Sequence, residues 1–157
     1  MTNESRDARP LHLRWAAVAL VAAGGAVGTG LRAQLATALP SVHGLSWSIL
    51  GINVVGAFCL GLLLESLAVQ GPDVGGRRRL RLLVGTGLLG GFTTYSTLAN
   101  DAARLLQDAR VGAATGYALL TLVAGVAAAA LGVGLAARRR SAPRGTDIAD
   151  GPPGVDA

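Results

Sequence analysis

The sequence predicts an all-α integral membrane protein with four transmembrane helices, and three observations carry that expectation. First, charge is absent from four long runs: 17 residues between Arg14 and Arg32, 32 between Arg32 and Glu65, 19 between Arg81 and Asp101, and 27 between Arg110 and Arg138. About 20 apolar residues in a helix cross roughly 30 Å of hydrocarbon, so each run is near or beyond the length of a span. Second, 51% of the 157 residues are hydrophobic and 15% are charged, with a mean hydropathy of +0.48, which leaves little material for a water-facing shell. Third, the basic residues cluster at the ends of the runs, where they act as membrane flanks. The net charge of +5 and a pI near 11.0 therefore do not point to nucleic acid, because no basic face interleaved with aromatics exists.

The chain divides into an N-terminal tail (1–12), a four-helix transmembrane domain (13–137) and a C-terminal tail (138–157). Residues 1–9 are polar and mixed in charge, and Pro10 follows. A signal peptide is the rival reading of Arg14 and the apolar run behind it, but the run continues through glycine-rich sequence to Arg32 and three more runs follow. The first helix is expected over Leu13–Ala36. There Gly24, Gly28 and Arg32 recur at intervals of four and so share a face, where small residues let another helix approach closely. Arg32 is either an interfacial anchor or a cation that concentrates anions at a pore mouth.

The second helix is expected over Leu45–Leu67, after a short connection containing Pro40 and His43. Asn53 is its strongly polar side chain, and an uncompensated amide in hydrocarbon costs several kcal/mol. It faces either a partner helix as glue or an aqueous pathway as a ligand, and Ala57 and Gly61 share its face. Pro72, Gly75 and Gly76 then break the chain before Arg77, Arg78, Arg79 and Arg81.

The third helix, expected over Leu80–Leu106, is the anomaly. Its centre, Gly90-Gly91-Phe92-Thr93-Thr94-Tyr95-Ser96-Thr97-Leu98, sets two glycines and four serine or threonine residues where an ordinary span is aliphatic. Gly-Gly weakens the helix, and freed carbonyls at membrane depth need protein, water or an ion. The plainer alternative is a continuous helix whose hydroxyls bond back to its own carbonyls. Asp101, Arg104 and Asp108 read as a solvated helix end. The fourth helix, Val111–Ala137, carries Tyr117, Thr121 and Gly125 on one face, a weak polar stripe. Beyond it Pro143, Pro152 and Pro153 and scattered charge predict a disordered tail.

Four spans put both termini and the middle loop on one side, with 11 arginines against 3 on the other, so the positive-inside bias places both termini in the cytoplasm of a multi-pass inner-membrane protein. Cys59 is a lone cysteine, which excludes a disulfide framework, and no nucleophile, base and orienter can be assembled, so no enzyme is expected.

These residues resemble the small bacterial fluoride channels called Fluc or CrcB. Gly24-Gly25-Ala26-Val27-Gly28 with Arg32 is similar to that family's first-helix motif, and Trp47 with Asn53-Val54-Val55-Gly56-Ala57-Phe58 to its second. Gly90-Gly91-Phe92-Thr93-Thr94-Tyr95-Ser96-Thr97 resembles the most specific motif, Gly-Gly-x-Thr-Thr-Phe-Ser-Thr-Phe. The resemblance implies an antiparallel, inverted dimer with two fluoride pores across the lipid bilayer. It implies a structural Na⁺ held by main-chain carbonyls of Gly90 and Thr93. It implies a fluoride pathway along Asn53, Tyr95, Ser96, Thr97, Leu98, Tyr117 and Thr121, with Arg32 at the pore mouth. Aromatic ring edges are electropositive and can face an anion.

The departures are informative. Tyr95 and Leu98 replace the two signature phenylalanines, and leucine has no ring edge. Gly125 stands for a serine and Ile49 for a threonine. The arginine bias is too lopsided for a chain that inserts both ways, which favours one half of a heterodimer with a paralogous subunit over a homodimer. A proton-coupled multidrug-type exporter would need an intramembrane carboxylate, and the sequence places Glu65 and Asp101 at span ends. A non-conducting accessory subunit is the third reading, kept open by Tyr95 and Leu98.

Overall fold

Each uncharged run folds into helix in the computed structural model, which describes residues 14–39 and 45–138. Helix α1 spans Trp15–Ala38, α2 Trp47–Val69 and α3 Gly75–Leu80. A wide π-type segment covers Arg81–Leu89, followed by α4 Gly90–Phe92, α5 Tyr95–Gln107 and α6 Val111–Arg138. Helices α1, α2 and α6 are each long and apolar enough to cross a membrane. Their limits fall within two residues of the expected ones. The expected tails and the connection with Pro40 and His43 lie outside the described residues.

The third run, expected over 80–106 as a helix broken mid-membrane, differs in its limits and in where the break falls. It starts at Gly75, widens over nine residues, and stops being helical not at the glycine pair but at Thr93 and Thr94, which are extended (φ −76°, ψ 154° and φ −147°, ψ 125°). Gly90 and Gly91 are themselves helical.

Small residues decide where the helices touch. Gly24 and Gly28 are the buried residues of α1, and a Cβ on them would run into the Leu83 and Leu88 carbonyl oxygens of the π-type segment. Gly87 answers from the other side, where a Cβ would lie 2.7 Å from the Val21 oxygen and 3.0 Å from the Gly24 Cα. Helices α2 and α6 repeat the arrangement, Gly61 against the Ala129 carbonyl and Gly132 against that of Phe58. Backbone-to-backbone approach of this kind gains dispersion where lipid offers no hydrophobic drive. The remaining faces stay apolar and uncovered, including Leu31 on α1 and Leu122 and Val126 on α6. Helices that are apolar all round belong in lipid or against a partner.

Candidate functional site: a helix interruption beside an open groove

Thr94 is the hub of the site, and the sequence reading passed over it. Its amide donates to Asn53 Oδ1 at 2.8 Å, and its carbonyl accepts from Asn53 Nδ2 at 3.0 Å. One side chain thus satisfies both backbone groups of an extended residue, which is what lets the chain leave helical geometry at this depth. The Thr94 hydroxyl then caps α5, accepting from the Thr97 amide at 3.3 Å and lying 3.1 Å from Ser96 Oγ and 3.3 Å from Thr97 Oγ1. Thr93 closes the preceding turn, its amide and hydroxyl both donating to the Leu89 oxygen at 3.0 Å. Its methyl sits where a Cβ on Gly56 would be, so glycine one turn after Asn53 makes room for the interruption.

Across the interruption, Arg32 Nε and Thr29 Oγ1 both donate to the Gly91 carbonyl, at 3.3 Å and 3.4 Å. Arg32 is half-buried against this backbone and forms no ion pair among the described residues.

On the Asn53 side a groove of about 590 Å³ opens. Asn53 and Ala57 form one wall, Thr93, Tyr95 and Leu98 the next, and Thr121 and Gly125 of α6 the third. The fold thus gathers Asn53, Tyr95, Leu98 and Thr121 from three elements. Tyr95 projects away from its own chain at 82% exposure. Three expected pathway residues stand apart from the groove lining. Ser96 and Thr97 point their hydroxyls to Thr94, and buried Tyr117 donates to the Ser46 carbonyl at 2.9 Å. Thr121 donates to the Tyr117 carbonyl one turn before it, at 2.9 Å.

Asp101 corrects the reading of a solvated helix end. It is 6% exposed, and its Oδ2 has no hydrogen-bond partner among the described residues. Leu98, Asp101 and Leu105 share one face of α5, a stripe legible from the spacing alone had the charge not been read as a helix end. An unpartnered buried carboxylate oxygen costs about 1–3 kcal/mol or more. Asp101→Asn leaves a polar group there but removes the buried charge, the costlier part, and is expected to raise the thermal midpoint by several degrees, at about 2–4 °C per kcal/mol for a chain this size. A lowered midpoint in a melting experiment would mean that the assembled protein supplies that oxygen with a partner.

Comparison with known proteins covers most of the chain. Residues 19–133 match the family described as CrcB-like protein, Camphor Resistance (CrcB). A protein named fluoride-specific ion channel FluC 2 from Leifsonia xyli subsp. xyli is 49% identical over 132 residues, 84% of this chain and 91% of its own length. One named fluoride-specific ion channel FluC 1 from Cutibacterium acnes is 48% identical over 109 residues, 69% of this chain and 76% of its own. Another, FluC of Novosphingobium aromaticivorans, is 41% identical over 123 residues, 76% of this chain and 94% of its own.

Proposed function

The chain belongs to the CrcB-like family, and from that premise we propose that this multi-pass membrane protein is a fluoride-specific channel, passing the ion down its gradient and out of the cell. It is a channel subunit and not an enzyme. The observation that carries the mechanism is the Asn53–Thr94 bridge at the groove. Asn53 Nδ2 has two N–H groups, and the bridge to the Thr94 carbonyl takes one, leaving the other for an anion that has shed part of its water. The bridge also fixes which end of the amide is which, since Oδ1 is tied to the Thr94 amide. The edge of the Tyr95 ring adds a weakly electropositive surface beside it. Arg32, on the other side of the interruption, raises the local potential for anions approaching from that end.

The finer architecture follows from the same elements. Segments 75–92 and 95–107 together make the third span in chain order, broken at Thr93 and Thr94, and two such chains pair in opposite orientations so that exposed Tyr95 and the groove meet a second subunit. The donor set suits a structural Na⁺. Thr94's amide, which a continuous helix would give to the Gly90 carbonyl, is spent on Asn53, and a Cβ at Gly90 would meet nothing within 4 Å. The carbonyls of Gly90 and Thr93 are the hard oxygen donors such a cation takes. When bound, the ion would supply a positive charge at the interruption; this chain's part is to hold those carbonyls outside the helical ladder.

The arginine count of 11 against 3 supports fixed insertion with both termini cytoplasmic, and hence a paralogous partner. Relatives numbered FluC 1 and FluC 2 fit a family of paired chains.

The test is electrogenic fluoride efflux from proteoliposomes holding this chain alone and with a paralogue. Efflux is expected without any proton gradient, to be selective over chloride, and to be stronger with the paralogue. Flux that appears only with an imposed pH gradient would assign buried Asp101 to a proton-coupled exporter instead. Assembly that persists unchanged in sodium-free buffer would remove the Na⁺, and full conduction by the chain alone would remove the paralogue.

A further inference from the structure

The arginine run that opens the third span, Arg77, Arg78 and Arg79 in α3 and Arg81 just after it, is organised beyond what a membrane flank requires. Two glycines with positive φ, Gly71 at +121° and Gly75 at +54°, turn the chain so that loop carbonyls lie over the first turns of α3. Arg77 Nε donates to the Pro72 oxygen at 2.9 Å, and Arg78 Nε to the Asp73 oxygen at 2.8 Å. Each guanidinium is thus pinned by its inner nitrogen, with its two terminal amino groups left to bind elsewhere. Asp73 is the loop's one acid. Its carboxylate takes both Nε and Nη2 of Arg81, at 3.1 Å and 2.7 Å, and lies 3.8 Å from Arg78 Nε. The bonded Arg81 holds the Asp73 carboxyl below its usual range, so it stays ionised at neutral pH. Four arginines against one aspartate leave three positive charges uncompensated within residues 71–81. Arg79 is exposed and makes no hydrogen bond or ion pair among the described residues.

Two apolar side chains flank these guanidinium groups on the outside, Val74 at 51% and Leu80 at 43% exposure. Exposed aliphatic groups among pinned arginines are costly in water and favourable at the acyl–headgroup boundary. The loop begins two residues after the apolar helix α2 ends at Val69, which places it at that boundary.

We propose that the 71–81 segment, a turn and the short helix α3 after it, is a binding site for the phosphate of an acidic phospholipid, held by the terminal amino groups of Arg77, Arg78 and Arg79 while Val74 and Leu80 enter the acyl region. Guanidinium pairs phosphate through parallel N–H bonds, and pinning lowers the rotamer freedom lost on binding. This inference stands apart from the fluoride reading, since it uses no residue of the groove.

Native mass spectrometry of the full chain, released from micelles with equal phosphatidylglycerol and phosphatidylcholine, reads the preference directly. One arginine near an anionic headgroup is worth about fivefold in affinity, so the protein is expected to retain phosphatidylglycerol at least tenfold over phosphatidylcholine. The variant R77Q/R78Q/R79Q should fall to no more than about twofold, while R77K/R78K/R79K, which keeps the charge but loses the pinned fork, should fall to an intermediate preference. If the triple glutamine chain does not fold, Arg79→Glu, at an exposed and unbonded position, should by itself cut the preference several-fold. Equal retention of both lipids, or a preference that survives in the glutamine variant, would overturn the site. Displacement of bound phosphatidylglycerol by millimolar inorganic phosphate would also overturn it, in favour of a soluble anion.

Discussion

Asn53→Asp is expected to lower fluoride efflux at least about 100-fold while leaving a folded, monodisperse protein. The aspartate keeps the oxygen that accepts from the Thr94 amide, so half of the bridge survives. It loses the amino group that donates to the Thr94 carbonyl, at about 1–3 kcal/mol for the unpaired group. It also adds a negative charge on the groove wall. At about 4 Å and an effective dielectric constant of about 20, two like charges repel by roughly 4 kcal/mol, near a thousandfold on an anion's occupancy. Electrostatics therefore outweighs the lost hydrogen bond. Asn53→Ala makes the comparison decisive, because it removes both bonds and adds no charge. If Asn53 donates to fluoride, aspartate conducts worse than alanine although it preserves more of the fold. If the amide only joins two helices, alanine is the worse substitution and aspartate conducts nearly normally. Efflux traces and size-exclusion profiles of the three proteins give both readings.

The three long helices were legible because a span is a property of composition along one stretch, and uncharged runs bounded by arginines mark it locally. The path of the third run was not. Its glycine pair looks like the place where the helix gives way, yet both glycines are helical: α1 packs onto Gly91, whose carbonyl accepts from Arg32 and Thr29, while Gly90 stays exposed. The interruption falls at Thr93 and Thr94, where a side chain 41 positions away replaces the helical hydrogen bonds. A long-range bond of that kind leaves no mark in local propensity. The same limit explains Thr94 itself, which reads as one hydroxyl among several until Asn53 is placed beside it. Tyr117 reads as part of a polar stripe on α6, but its hydroxyl is bound to the Ser46 carbonyl, a group the sequence could not bring to it. Asp101 misled for a different reason: a carboxylate near other charges reads as a solvated end unless the stripe with Leu98 and Leu105 is weighed first.

Gly28→Val is expected to abolish the folded protein. The valine Cβ would coincide with the Leu88 carbonyl oxygen and lie 2.9 Å from the Phe92 amide nitrogen, and both obstacles are backbone that cannot rotate aside. Overpacking among flexible side chains costs about 1–3 kcal/mol. Here relief requires α1 to move bodily away from the π-type segment, which also separates Gly24 from Leu83 and pulls Arg32 and Thr29 from the Gly91 carbonyl. A disturbance one turn above the interruption thus reaches the elements that shape the groove. Gly30 supplies the control, since a Cβ there would meet nothing within 4 Å. Gly30→Ala should match or exceed the parent's melting temperature, as alanine gains about 0.5–1 kcal/mol over glycine inside a helix. The readout is the yield of monodisperse protein and its melting temperature in detergent. A Gly28→Val protein that melts like the parent would show that α1 does not seat on the third run through this glycine face, and the route from Arg32 to the interruption would fail with it.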